Sequence, residues 1–326
     1  MKVLLVRLSS MGDLIHTLPA INDLSRMKPD LELHWLCEES FADIAKLHPF
    51  IKKVHTLQWR RWRKCLVRRR TWCEINHLRK TLQQECYDFS IDSQGLFKSV
   101  SFAKLANAPI KGLDKKSARE GFSSFFYNQT FFVAKGQDAV LRNRLLFAQA
   151  FGYELPEEMR FGLVVPEAAR LEGLVRPYHV VLHATSRDSK LWPLDNWLTF
   201  LKALYQQDGA AVYLPWGGEA EKMRAEKIAA ELPFVVVCNK MNLLQAADLL
   251  QNAESVVGVD TGLLHLANAL DKPLVGIYTD SDPIKTGVQT SEYAQNIGGI
   301  GRMPKPDDVL ELLMKCISAY RQVKQV

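Results

Sequence analysis

The sequence predicts an α/β protein built from two Rossmann-like domains in series, with ligands bound in the cleft that faces the carboxyl ends of their strands. Three observations point there. The chain has 326 residues, too many for one simple core and suited to two such domains. Short apolar runs alternate with amphipathic stretches, which implies right-handed crossovers and parallel sheets covered on both faces. The alternation weakens in a polar stretch between Pro156 and Pro177, holding Glu157, Glu158, Pro166 and Glu167, and then restarts.

In chain order, the apolar runs Lys2–Leu8, Leu31–Cys37, Val54–Leu57, Phe89–Asp92 and Ile110–Leu113 are expected as strands. The amphipathic segments Asp13–Met27, Phe41–Leu47, Trp72–Gln84, Leu96–Ala106 and Ala139–Ala150 are expected as helices. Beyond the boundary, strands are expected at His179–His183, Ala211–Leu214, Phe234–Val237, Ser255–Val259 and Leu274–Tyr278. Helices are expected at Leu194–Gln206, Glu219–Glu231, Leu243–Asn252, Leu263–Leu270 and Pro306–Tyr320. The domains are taken as 1–165 and 166–326, with the last helix able to pack back on the first.

Hydrophobic residues make up 47% and charged residues 24%, an ordinary balance for a soluble protein and not that of a disordered one. The six cysteines, Cys37, Cys65, Cys73, Cys86, Cys238 and Cys316, form no C-x-x-C pair. Reduced structural thiols are expected, without zinc or a disulfide framework. The apolar start is broken by Arg7, Ser9, Ser10 and Asp13, too early for a signal peptide, and no stretch approaches the ~18 apolar residues of a membrane span. A soluble, intracellular chain is expected. Its formal charge of +6 is unevenly spread: residues 1–150 carry 25 Lys/Arg and 14 Asp/Glu, whereas 151–326 carry 17 and 22. The first half is built to meet an anionic partner.

Asp260-Thr261-Gly262 follows the run Ser255–Val259 and precedes an apolar-periodic helix. Unpaired N–H groups at that helix start, backed by the helix dipole, suit a diphosphate, and Gly262 permits close approach. The plainer reading makes Asp260 or Thr261 an N-cap. His265 falls on the same first turn. The loop His183–Pro193 carries Thr185, Ser186, Arg187 and Lys190, a plausible phosphate clamp in which Lys190 meets the charge of a leaving diphosphate. A merely solvated loop is the alternative. After the sharp turn Pro215–Gly218, Glu221 is placed to accept hydrogen bonds from ribose hydroxyls, and Met241 to pack on a flat base.

In the first half, Arg7–Asp13 follows the first strand but is not G-x-G-x-x-G, so no nicotinamide or flavin fingerprint is present. Asp13 reads either as the N-cap of the first helix or as a carboxylate that takes a proton from a nucleophile. The densest basic run is Trp59-Arg60-Arg61-Trp62-Arg63-Lys64, continued by Arg68, Arg69 and Arg70. Such a run is a solvated face or a nucleic-acid contact, or, with interleaved tryptophans, a site for a phosphate-bearing amphiphile at a membrane surface. Lys98 and Arg119-Glu120 add polar groups in the same domain, a salt bridge being the simpler reading of the latter pair.

Taken together, Ser9–Asp13, Arg60–Lys64, Asp92–Ser99, His183–Pro193, Pro215–Gly217 and Val259–His265 resemble the lipopolysaccharide heptosyltransferases of glycosyltransferase family 9, in order across nearly the whole chain. The resemblance implies a GT-B fold, two Rossmann-like domains facing across a cleft. It also implies inverting transfer without metal or other cofactor, from ADP-L-glycero-β-D-manno-heptose. The implied acceptor is the Kdo of Kdo₂-lipid A, which places the protein in the cytoplasm, peripheral to the cytoplasmic face of the inner membrane; no nucleic acid is expected. By the same resemblance Asp13 is the catalytic base. Lys190, Thr261, Gly262 and His265 contact the diphosphate and its surroundings, with Thr185 and Ser186 in the same loop. Asp260 binds the heptose, and Glu221 and Met241 the adenosine. Arg60, Arg61, Arg63, Lys98 and Arg119 handle the anionic acceptor. Ser186 stands where Thr is expected, and Thr279-Asp280-Ser281-Asp282-Pro283 departs from an expected Gly-Pro-Thr-Asp-Pro. By the same resemblance no divalent ion is expected. Rival readings are a heptosyltransferase acting on a later inner-core acceptor, a GT-B epimerase, and an inactive nucleotide-sugar-binding protein.

Overall fold

A computed structural model describes residues 1–185 and 187–324, so Ser186 of the expected donor loop lies outside the described residues. The chain divides into two units, Met1–Val164 and Val165–Val326. Unit 1 contains β1 (Lys2–Val6), β2 (Glu32–Glu38), β3 (Ile51–Leu57), β4 (Phe89–Asp92), β5 (Ile110–Leu113) and β6 (Gln129–Phe131). They form one parallel sheet in the order β3-β2-β1-β4-β5-β6. Unit 2 contains β7 (Tyr178–Leu182), β8 (Ala211–Leu214), β9 (Val235–Val237), β10 (Ser255–Val259), β11 (Leu274–Tyr278) and β12 (Ala294–Gly298). Its parallel order is β12-β11-β10-β7-β8-β9. Counted from its own first strand, each sheet has the same doubly wound order, and the crossovers reverse between β1 and β4 and between β7 and β10.

The central strands are continuous apolar runs because helices cover both of their faces. Val3, Leu4, Leu5 and Val6 of β1 are fully buried, as are Val180, Val181 and Val256 at the centre of the second sheet. The edge strands β6 and β12 were absent from the sequence expectation. β6 has three residues and β12 reads Ala-Gln-Asn-Ile-Gly, so neither has an apolar run, and pairing with β5 and β11 decides them.

The expected helix Asp13–Met27 is two helices, Met11–Ile15 and Leu18–Met27, with Pro19 in the first turn of the second. Proline supplies no N–H to bond the Ile15 carbonyl, which interrupts the hydrogen-bond ladder between the two. The last helix, Pro306–Lys324, buries Val309, Leu313, Cys316 and Ile317 in the core of its own unit. Among the described residues, no helix is long and apolar enough to cross a membrane.

Unit 1 is also braced by a buried ion pair. Arg144 Nε donates to Asp23 Oδ2 at 2.7 Å, and the same guanidinium donates to the Pro156 carbonyl at 2.6 Å. Both side chains are buried, so losing one leaves the other uncompensated in a poorly hydrated core. Arg144→Met is therefore expected to lower unfolding stability by about 3 kcal/mol or more, read from the urea midpoint; an unchanged midpoint would show that the pair carries no such weight.

Candidate active site

In unit 1 the loops that leave β1 and β4 are tied to each other. The fully buried Asp92, at the end of β4, accepts from the Gln94 N–H at 2.9 Å, the Ser99 hydroxyl at 2.7 Å and the Tyr127 hydroxyl at 2.8 Å. This fixes the turn through Gly95, whose φ of +66° favours glycine and where an added Cβ would stand only 3.2 Å from the Arg119 backbone nitrogen. Gln94 then reaches across. Its Oε1 accepts from Leu8 N at 2.8 Å and its Nε2 donates to the Ser9 carbonyl at 3.0 Å. The result is a set shape for Ser9–Asp13.

Ser10, not Asp13, is the N-cap of the first helix. Asp13 sits one turn in and reaches back, its Oδ2 accepting from Ser10 N at 2.8 Å and Ser10 Oγ at 3.1 Å. Its Oδ1 accepts from Arg7 at 3.1 Å, and Arg7 also donates to the Ser93 carbonyl. The side chain remains about a quarter exposed, at 27%. Burial works to raise the Asp13 pKa, but Arg7, the Ser10 N–H, His16 and Arg119 together outweigh it and hold the carboxyl below the usual range. Asp13 is thus ionised across the neutral range, ready to accept a proton.

Lys98 Nζ donates to Ser9 Oγ at 3.1 Å. Burial and the nearby guanidiniums of Arg60 and Arg63 push its pKa down, against Glu38 and Asp13. Asp13, Lys98, Arg60, Arg63 and Arg119 therefore share one electrostatic neighbourhood. Arg61 is turned elsewhere. The run forms a short helix, Trp59–Trp62, in which Arg61 faces Gln58 and Glu74, bonding to both. Trp62 is buried in the core and Trp59, partly buried, packs on the same Phe102 ring, so the interleaved tryptophans serve packing.

In unit 2 the loops after β7 and β10 converge on Asp260. Lys190 Nζ lies 2.5 Å from Asp260 Oδ2, and Thr185 Oγ1 donates to the Asp260 carbonyl at 2.8 Å. His265 Nε2 lies 4.0 Å from Asp260 Oδ1. The helix Gly262–Ala269 begins beside them, with Thr261 as N-cap in extended backbone and making no side-chain capping bond. The N-cap reading therefore holds for Thr261, but its hydroxyl caps nothing and so does not compete with a ligand for the N–H groups at the helix start. On the helix that follows β8, Glu219–Glu231, Glu221 Oε2 accepts from Gly217 N at 2.6 Å. Trp216 Nε1 donates to the Cys238 carbonyl at 2.7 Å, tying that turn to the end of β9, after which Met241 lies half-buried.

Four contributors were missed in the sequence. Arg224 donates to the carbonyls of His183 at 3.3 Å and Trp192 at 2.5 Å, clamping both ends of the loop that carries Thr185 and Lys190. It lies three residues past Glu221, on the same helix face. Ser281 donates to Asp260 Oδ2 at 2.7 Å, and Thr279 to the Ser189 carbonyl at 3.0 Å, so the divergent loop after β11 joins the cluster. Arg7 is the fourth. Main-chain carbonyls and a serine hydroxyl leave no spacing signal, but a basic residue ending a central strand was visible.

Elsewhere in unit 1, the side chains of His34, His55 and Glu85 come within metal-ligand range. Both histidines instead share the Tyr87 hydroxyl at 2.9 Å, and Lys2 and Lys53 occupy Glu85. Two ammonium groups on the one carboxylate make this a poor cation site and a satisfied core network.

Removing Arg7 takes away the leading charge that lowers the Asp13 pKa. In Arg7→Met, burial prevails and the Asp13 carboxyl is expected to titrate at higher pH than in the wild-type chain, followed by the ¹³C shift of its Cγ. An unmoved titration would show that Arg7 does not set it.

A family model described as glycosyltransferase family 9 (heptosyltransferase) matches residues 75–316. The chain is 40% identical over 285 residues to lipopolysaccharide heptosyltransferase 1 of Escherichia coli K12, covering 87% of this chain and 89% of that protein. The structure of E. coli heptosyltransferase WaaC with ADP superposes with a TM-score of 0.85 at 36% identity, covering 100% of this chain and 99% of the other. WaaC with ADP-2-deoxy-2-fluoro heptose gives 0.82 at 35% identity over the same shares. With this architecture and identity, the chain belongs to glycosyltransferase family 9, the heptosyltransferases.

Proposed function

We propose that the chain transfers the heptosyl group of ADP-L-glycero-β-D-manno-heptose to the Kdo of Kdo₂-lipid A, in construction of the lipopolysaccharide inner core. The observation that carries this reading is the cluster of Lys190, Asp260 and the Thr261-Gly262 helix start at the β7/β10 switch point. A heptosyltransferase relative holds an ADP-heptose analogue. Unit 1 supplies the base and the acceptor-binding cations.

In this mechanism Asp13 removes the proton of the acceptor hydroxyl as its oxygen attacks the heptose anomeric carbon. The bond from that carbon to the ADP oxygen breaks in the same step, through an oxocarbenium-like state, and the configuration inverts. The negative charge that grows on the diphosphate is met by Lys190 and by the N–H groups and dipole at Thr261-Gly262, without a divalent ion. An ammonium has three donors, so Lys190 can keep Asp260 as a partner while it meets the leaving group. Asp260 then faces the heptose hydroxyls, Glu221 the ribose and Met241 the base. Arg60, Arg63, Lys98 and Arg119 hold the acceptor carboxylates and phosphates, whereas Arg61 already has Glu74 as its partner. The reaction takes place on the cytoplasmic face of the inner membrane, where the protein is peripheral.

Asp13→Asn and Asp13→Ala should each lower kcat by about 10²–10⁴-fold. Near-wild-type turnover by both would remove Asp13 as the base. Lys190→Ala should act mainly on kcat, by roughly 10²-fold, since the charge it meets is largest in the transition state. Arg224→Met frees both ends of the Lys190 loop, so calorimetry should show weaker binding of ADP with adenosine binding little changed. Equal loss for both ligands would mean that Arg224 serves the fold and not the diphosphate loop.

A further inference from the structure

Unit 1 carries an aromatic patch that neither the core nor the proposed chemistry uses. The short 3₁₀ helix Gly121–Phe126 presents Phe122 and Phe125, 61% and 66% exposed, and Phe97 beside them is 53% exposed. The rings form one cluster: Phe122 lies 5.7 Å from Phe125, 5.5 Å from Phe126 and 6.4 Å from Phe97 between ring centroids. Its cations are on the rings themselves, with Lys104 Nζ 4.0 Å from the Phe126 centroid and Lys115 Nζ 5.6 Å from that of Phe125. The adjacent carboxylate, Glu120, is occupied by the Phe97 N–H at 2.7 Å. Contiguous aromatics left in water with cations around them mark an interaction surface.

The chemistry and the position of the patch select its occupant. Aromatic rings flanked by lysines match the two layers of a bilayer surface, acyl chain ends of the headgroup region for the rings and phosphates for the ammonium groups. The surrounding half of the chain has an excess of 11 positive charges over residues 1–150. The patch also runs directly into the acceptor cluster. Phe97 is followed by Lys98, which bonds to Ser9, and Glu120 is preceded by Arg119, whose charge acts on Asp13.

We propose that Phe97, Phe122 and Phe125 seat unit 1 on an anionic lipid bilayer, with Lys104 and Lys115 meeting the lipid phosphates, so that the Asp13 loop stands at headgroup level. This deepens the reading above, on which the lipid nature of the acceptor rests; attachment to the bilayer itself does not depend on that reading. The patch would thereby confine the search for a membrane-borne acceptor to the plane in which its sugar lies.

The test uses the full-length chain and vesicles of phosphatidylcholine, alone or mixed with phosphatidylglycerol. Wild type should co-sediment with the mixed vesicles. Phe122→Ser/Phe125→Ser should lose about tenfold or more of that partitioning at an unchanged melting temperature, because both rings are exposed. Lys104→Gln/Lys115→Gln should lose the preference for phosphatidylglycerol. Turnover by the phenylalanine variant should fall on vesicle-borne Kdo₂-lipid A and hold on its water-soluble deacylated form. Wild-type partitioning by the phenylalanine variant overturns the proposal, as does an equal loss of turnover on both acceptors. So does a lipid-free dimer that the variant abolishes while vesicle binding persists, which would make the patch a self-association face. Vesicle binding lost as expected, with no turnover by wild type on either acceptor, would sink the heptosyl reading and leave the membrane surface standing.

Discussion

The reversal of crossover direction between neighbouring parallel strands is the constraint on which everything else depends. Right-handed crossovers send the chain to opposite faces of the sheet on either side of β1/β4 and of β7/β10. The loops that leave those strands part, and a crevice opens at the strands' carboxyl ends. Asp13 and Lys98 follow β1 and β4, and Thr185, Lys190 and Asp260 follow β7 and β10. Each set is far apart in sequence, and each is brought together by strand order alone. Buried valines and leucines hold the sheets rigid behind those loops, so the polar groups at their tips inherit the precision of the core.

Within that frame the two clusters solve different electrostatic problems. Unit 1 must keep one carboxylate ionised although burial opposes it. Arg7 does this at 3.1 Å while its other end holds Ser93, so the charge that tunes Asp13 also joins the β1 and β4 loops. Unit 2 must keep cationic and dipolar groups aimed at one place without their repelling each other. Asp260 is the hub: it takes Lys190 and Ser281 on its carboxylate and Thr185 on its carbonyl. A residue expected only to touch the sugar thereby also joins the loops that carry Thr185, Lys190 and Ser281.

Legibility in the sequence followed the strength of each physical signal. Central strands, buried on both faces, appear as unbroken apolar runs, and all ten expected strands have counterparts. The edge strands β6 and β12 carry no such run because half their surroundings are not core. Asp13 was recognisable as a polar residue at a strand-to-helix turn, but which residue capped the helix depended on whether its carboxylate turned back to Ser10. The run Trp59–Lys64 looked uniform in composition. Helical rotation separates it, sending Arg61 to Glu74, the tryptophans to the core, and Arg60 and Arg63 toward Lys98.

The sequence by itself determined two α/β domains, a cationic first half, and the residue types and order that mark a heptosyltransferase. Those properties are local or additive: hydrophobic period, net charge and motif spacing survive in a linear string. Only the tertiary structure decided that Arg224 clamps the Lys190 loop, that Ser281 reaches Asp260, and that Arg7 together with the Ser10 N–H, His16 and Arg119 outweighs burial at Asp13. It also decided that Phe97, Phe122 and Phe125 share one exposed patch. Such facts depend on distance and burial. Both are set by how strands are ordered in a sheet, which a single sequence implies but does not measure.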